Sequence, residues 1–155
     1  MLDILAGIER LPLVGALKVS FYVYPLVNAL HILSIGALVT SAIVMDMRIL
    51  GLAGFVERQP LIRLMREIAI AAFSLAVLTG IALFSIRAQQ YATNPAFQVK
   101  MMLIVVAGLN FWAFSHLTGK TGEHEAYSPA ARLLAGLSVF IWVGVLVAGR
   151  FIGFI

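Results

Sequence analysis

His31 is the side chain best placed to do chemistry, because it stands inside an otherwise apolar stretch from Phe21 to Met45. That stretch is long enough to cross a bilayer, and His31 falls roughly 16 Å into it, close to the midplane. An ionisable group at that depth is costly and faces a bundle interior. There it binds an ion, a proton or a cofactor, or it sits as a neutral imidazole hydrogen-bonded between helices. Tyr24, Asn28, Ser34 and Ser41 fall within about 80° of His31 on a helical wheel, a polar stripe that should point inward. Further along the chain, Lys100 stands early in a second apolar stretch, with Asn110 deeper in the same one. Arg87 and Arg150 end two others.

These residue types suit a non-covalent b-type haem. Imidazole is a common ligand of haem iron, which makes His31 the expected metal ligand. The two propionates need cations, which Lys100, Arg87 and Arg150 would supply at the mouth, while Asn28, Ser34 and Asn110 would complete the cofactor pocket. Each cation taken alone is better read as a side chain snorkelling at a helix end, and only their coincidence with His31 on one side points to a haem. His116 is not expected to be a second axial ligand, because it lies roughly 12 Å further along the bundle axis than His31. His124, within Gly122-Glu123-His124-Glu125, reads as a solvated loop residue.

Four apolar stretches must position these groups, at about 21–45, 68–86, 95–117 and 130–154. The first should continue as a helix to Leu50 and stop at Gly51. Asn94-Pro95 and Ser128-Pro129 each pair an N-cap residue with a proline in the first turn. Residues 2–17 place Ile4, Ile8, Leu11 and Val14 on one face, an amphipathic helix lying at the membrane interface and broken near Pro12. Ala72, Ala76 and Gly80, and again Gly149 and Gly153, repeat every four residues, a spacing that lets membrane helices approach closely. The expected fold is all-α: a four-helix transmembrane bundle with an N-terminal interfacial helix, in one integral membrane domain over 1–155.

Composition agrees. Of 155 residues, 62% are hydrophobic and 12% charged, and the mean hydropathy is +1.02. A soluble domain of this size has no interior large enough for so much apolar surface, so lipid must be its solvent. The net charge of +4 is small and scattered, which argues against a nucleic-acid surface. The absence of cysteine excludes disulfides, thiolate metal sites and thioether-linked haem. Asp3 and Glu9 stand where a cleavable signal would carry positive charge, so none is expected. Call side A the face with the N-terminus, the second loop and the C-terminus. Its basic residues are Arg10, Lys18, Arg87, Lys100 and Arg150, against Arg48, Arg58, Arg63, Arg66, Lys120 and Arg132 on side B. Four of the latter cluster between the first two spans, which favours side B as cytoplasmic.

His31-Ile-Leu-Ser-Ile-Gly36, running into Val44-Met-Asp46-Met-Arg48-Ile-Leu-Gly51, resembles an uncharacterised family of small bacterial four-span membrane proteins. So does Asn94-Pro95-Ala-Phe97-Gln-Val-Lys100, followed by Asn110. More distantly, a histidine on the first span with a lysine early on the third is similar to the membrane protoporphyrinogen oxidases. Those are haem-binding four-span proteins, and the resemblance implies His31 and Lys100 as the matching positions. The copper-resistance D membrane proteins are similar in bundle and in a lysine opening a span, which implies a metal-linked role. These resemblances imply residence in the bacterial inner membrane.

The expectation is a b-type cytochrome that passes electrons to or from quinone or a redox protein, with lipid around it and a homo-oligomer as a compatible form. The alternatives are a cofactor-free assembly or transport module, and a copper-related protein. For copper, Met45 and Met47 flank Asp46 and Met65 lies across the loop, and thioethers can select Cu(I). Methionines two apart on a helix point about 200° away from each other, so core filling accounts better for Met45.

Overall fold

The computed structural model describes residues 2–52, 54–118 and 127–154, with side chains from residue 4 onward. Lys120 and His124 lie outside the described residues. Among these residues the chain is helical and contains no strand. In order the helices are α1 (Leu2–Glu9), α2 (Pro12–Val19), α3 (Val23–Leu50), α4 (Arg58–Ile86), α5 (Ala88–Thr93), α6 (Pro95–Thr118) and α7 (Pro129–Phe151). The four long helices, α3, α4, α6 and α7, are each apolar and long enough to cross a membrane.

Local chemistry sets most helix ends. Pro12 opens α2 at a position where its missing N–H costs nothing, which splits the N-terminal amphipathic segment into two short helices. The Ser20 hydroxyl accepts from the Val23 N–H at 3.1 Å ahead of α3. Asn94 Oδ1 accepts from the Phe97 N–H at 3.1 Å, and Ser128 Oγ from the Ala131 N–H at 3.2 Å. Both are the expected N-caps. Gly51 ends α3 in the left-handed region at φ 90°, with the Leu52 N–H reaching back to the Met47 carbonyl at 2.9 Å.

Helix α4 starts ten residues before the expected second span, at Arg58 rather than Ile68. Arg63 and Glu67, one turn apart, are joined by an ion pair of 3.3 Å on its exposed face. At ~1.5 Å per residue the 29-residue helix is roughly 43 Å long, well beyond a ~30 Å hydrocarbon core. Its apolar part, 68–86, matches that thickness, and the charged turns 58–67 stand clear of it. Helix α5, in the second loop, had no counterpart in the sequence reading.

Packing runs from α4 to α3, from α3 to α7 and from α7 to α6, and it does not close into a ring: no Cα of α4 lies within 8 Å of one of α6. Side chains still bridge these two helices at the side A end, where Phe84 of α4 stacks on Phe97 of α6 with ring centroids 5.4 Å apart. Alanines dominate the buried positions, among them Ala42, Ala72, Ala76, Ala131, Ala135 and Ala148. Small residues let helix backbones approach, which is where packing energy arises in lipid. Large apolar side chains face outward, including Met102, Val105, Leu109 and Trp112 on α6, as a lipid-covered surface requires. At one end α1, α2 and α5 gather around α3 and α4. There Glu9 Oε1 accepts from the Gln89 N–H at 2.9 Å and ties α1 to α5.

Candidate functional site

His31 lies eight residues past the first residue of α3, about 12 Å along its axis and on the side A half of the helix. That is shallower than a midplane position, because α3 runs on to Leu50. The ring packs against α4 where the small-residue stripe Ala72-Ala76-Gly80 ends. A Cβ on Gly80 would come within 3.1 Å of His31 Cε1, so glycine there makes room for the imidazole.

The hydrogen bonds on this ring decide its tautomer. His31 Nδ1 is 2.9 Å from Thr79 Oγ1. The Thr79 hydroxyl carries one proton, and it donates to the Leu75 carbonyl at 2.6 Å. Towards His31 the hydroxyl can then only accept, so Nδ1 carries the ring proton and donates it. The Ala76 carbonyl, 3.3 Å from Thr79 Oγ1, adds a second acceptor near the ring. A neutral imidazole protonated at Nδ1 has its lone pair on Nε2. Neither Thr79 nor Gly80 figured among the expected site residues. The four-residue period of small residues on α4 leads directly to this turn and was the signal for it.

Lys100 stands five residues into α6, with its side chain lying over Gly149 of α7. Gly149, which the sequence sets in a packing stripe, is the surface on which the lysine lies, in ordinary van der Waals contact. Nζ comes 3.7 Å from where a Cβ on Gly149 would be. The ammonium is near enough to His31 for the two to interact electrostatically. These two side chains, from the first and third spans, are the expected residues that stand within electrostatic range of each other.

The other expected residues lie elsewhere. Arg87 is exposed at the start of α5, 3.5 Å from Gln90 Oε1. Arg150 is exposed, with its guanidinium 4.8 Å from the Phe154 ring centroid. Asn28 and Tyr24 are exposed, so the outer half of the polar stripe does not face inward. Ser34 and Ser41 are buried, and Ser34 gives its proton to the Leu30 carbonyl of its own helix at 2.6 Å. Asn110 is buried between α6 and α7, donating to the Leu134 carbonyl at 3.1 Å. It is ten residues past Lys100, about 15 Å along the axis, and belongs to a different level of the bundle.

His116 is exposed near the end of α6, stacked on Trp112 with ring centroids 5.4 Å apart. Sixteen residues, about 24 Å, separate it from Lys100 along the helix. Met45 is half-buried and Met47 exposed. Among the described residues no three His, Cys, Asp or Glu side chains gather in a way that could hold a bare metal ion. No family model, curated protein or solved structure matches the chain.

Proposed function

We propose that this protein is a b-type haem-binding membrane protein that carries electrons, with His31 as an axial ligand of the iron. The observation that carries the reading is the 2.9 Å contact of His31 Nδ1 with a Thr79 hydroxyl already committed to the Leu75 carbonyl, which assigns the ring proton to Nδ1. A ligating histidine donates its other ring N–H to a neighbouring oxygen, which fixes the ring and raises the basicity of the ligating nitrogen. Thr79 supplies that oxygen here, and Nε2 is left with the lone pair. A haem needs one or two axial ligands from the protein, so a single imidazole serves it where a bare ion would need more. The apolar macrocycle would lie between the helices that carry His31 and Lys100. Lys100 on α6 would neutralise a propionate, with Arg87 and Arg150 nearer the side A surface.

The test is the absorbance spectrum of the detergent-solubilised protein, supplied with haem during expression. A Soret band that is lost in a folded His31→Ala protein supports the ligand assignment; a full band with unchanged ligation in that variant overturns it. Replacing Lys100 by Met keeps length and removes the charge. Haem affinity should fall and the reduction potential should shift downward, because a nearby cation favours the less positive reduced iron. No change in either would leave Lys100 a snorkelling side chain.

A second reading is a cofactor-free bundle in which the His31–Thr79 bond locks α3 to α4. The fit of the ring against Gly80 favours it, since a packed imidazole needs no iron to hold its place. Wild-type protein that folds without a Soret band, even when supplied with haem, decides for this reading.

A further inference from the structure

Far from His31, two buried oxygens lack any hydrogen-bond partner among the described residues: Asp46 Oδ2, one turn in from the side B end of α3, and Asn110 Oδ1 on α6. Asp46 is 8% exposed and Asn110 9%. Both side chains converge on one stretch of α7. The Asp46 carboxyl meets the Ser138 hydroxyl, and Asn110 holds the Leu134 carbonyl, one turn earlier on the same face. An orphaned carboxylate oxygen calls for a positively charged or proton-donating species beside it, and the orphaned amide oxygen one turn away along α7 can add to such a site. A bare carboxylate in such a place is heavily penalised unless its charge is compensated.

Among the described residues, the cations nearest this end have other partners or face outward. On α3 itself Arg48 donates to the Val56 carbonyl at 3.0 Å. On α7 Arg132 donates to the Leu50 carbonyl at 2.9 Å. On α4 Arg63 pairs with Glu67, Arg58 lies over the Tyr127 ring at 5.1 Å, and Arg66 is exposed. Lys18 of α2 is exposed at the opposite end of the bundle. No described residue forms an ion pair with Asp46.

We propose that Asp46, Ser138 and Asn110 form an exchangeable monovalent-cation site, loaded from side B with either a proton or an alkali ion. The oxygen set is hard, which suits both sources and excludes soft metals. A single positive charge balances the single carboxylate, whereas a divalent ion would leave a buried excess. The site does not depend on the haem reading.

The test is the thermal unfolding midpoint of the detergent-solubilised protein, measured across pH in sodium chloride and in choline chloride at equal ionic strength. Infrared spectra are recorded for the carbonyl stretch of a protonated carboxyl. An alkali site raises the midpoint saturably in sodium by about 4 °C at tenfold excess over Kd, and choline has no effect. A proton site shows the protonated-carboxyl band and a midpoint that follows pH regardless of sodium. In both cases Asp46→Asn, which keeps shape and removes the charge, abolishes the response, and Ser138→Ala weakens it. A wild-type protein whose midpoint ignores both sodium and pH, and which lacks the band, overturns the proposal. A response that persists unchanged in folded Asp46→Asn protein also overturns it.

Discussion

At the scale of single residues, the histidine is governed by a threonine. Thr79 is the acceptor that keeps the ring proton of His31 on Nδ1. Thr79→Val keeps the volume and removes the oxygen, so the imidazole loses its anchor while its surroundings stay apolar. The loss of one such bond should cost about 1 kcal/mol, read as a lower unfolding midpoint of the haem-free protein. If His31 ligates iron, haem affinity should fall about 10- to 100-fold as well, as for a lost outer-shell partner. Thr79→Ser should restore both. An unchanged midpoint would mean that the bond does not hold the helices, and an unchanged affinity that the ring is not an iron ligand. His31 and Lys100 were legible in the sequence because an ionisable group inside an apolar run has to be explained. Thr79 was not, because threonine is unremarkable in a membrane helix until the register of α3 on α4 is known. Asp46 stands in the sequence as part of the Val44–Gly51 motif and between two methionines, with no partner to mark it. Its hydrogen-bond partner Ser138 lies ninety-two positions along the chain.

Among the helices, the sequence reading succeeded where end chemistry is local. Gly51, Asn94 and Ser128 stop or start helices by their own side chain or backbone, and they do so here as expected. It fell short where a helix outlasts its apolar stretch. Hydropathy marks the part of α4 in lipid, while the helix continues through Arg58–Glu67, whose charges are tolerated once outside it. Gly51 yields a direct test of the first kind. Its φ of 90° lies where a Cβ is strained, and the space around it is open, with Arg132 Nη2 at 3.9 Å. Gly51→Ala should therefore cost about 1 kcal/mol through backbone strain alone, a fall of roughly 2–4 °C in the unfolding midpoint. Gly51→Asn should recover part of it, since asparagine tolerates that region. Equal midpoints for all three proteins would show that the turn relaxes and that φ is not held.

For the whole molecule, the open question the fold sharpens is orientation. Counted from sequence, side A carries five basic residues and side B six. Lys100, however, is not in a loop: it lies within α6 against Gly149 and close to His31. A residue engaged inside the bundle does not act as a topology signal, which leaves four basic residues on side A against six on side B. Arg58, Arg63 and Arg66 gain weight in turn, because α4 starts at Arg58 and holds all three at the end that emerges from lipid. Both changes favour side B in the cytoplasm. The N-terminal helices, α5 and the C-terminus then face outward, with His31 on the outer half of the bundle. The Asp46 site opens towards the cytoplasm. A C-terminal alkaline phosphatase fusion should accordingly be active, and a C-terminal green fluorescent fusion dark. Moving charge to the other end should weaken this: Arg58→Gln with Arg63→Gln and Arg66→Gln removes three of the six, and phosphatase activity should fall as inverted molecules appear. An inactive phosphatase fusion together with a bright fluorescent one would place side A in the cytoplasm and turn every one of these assignments around.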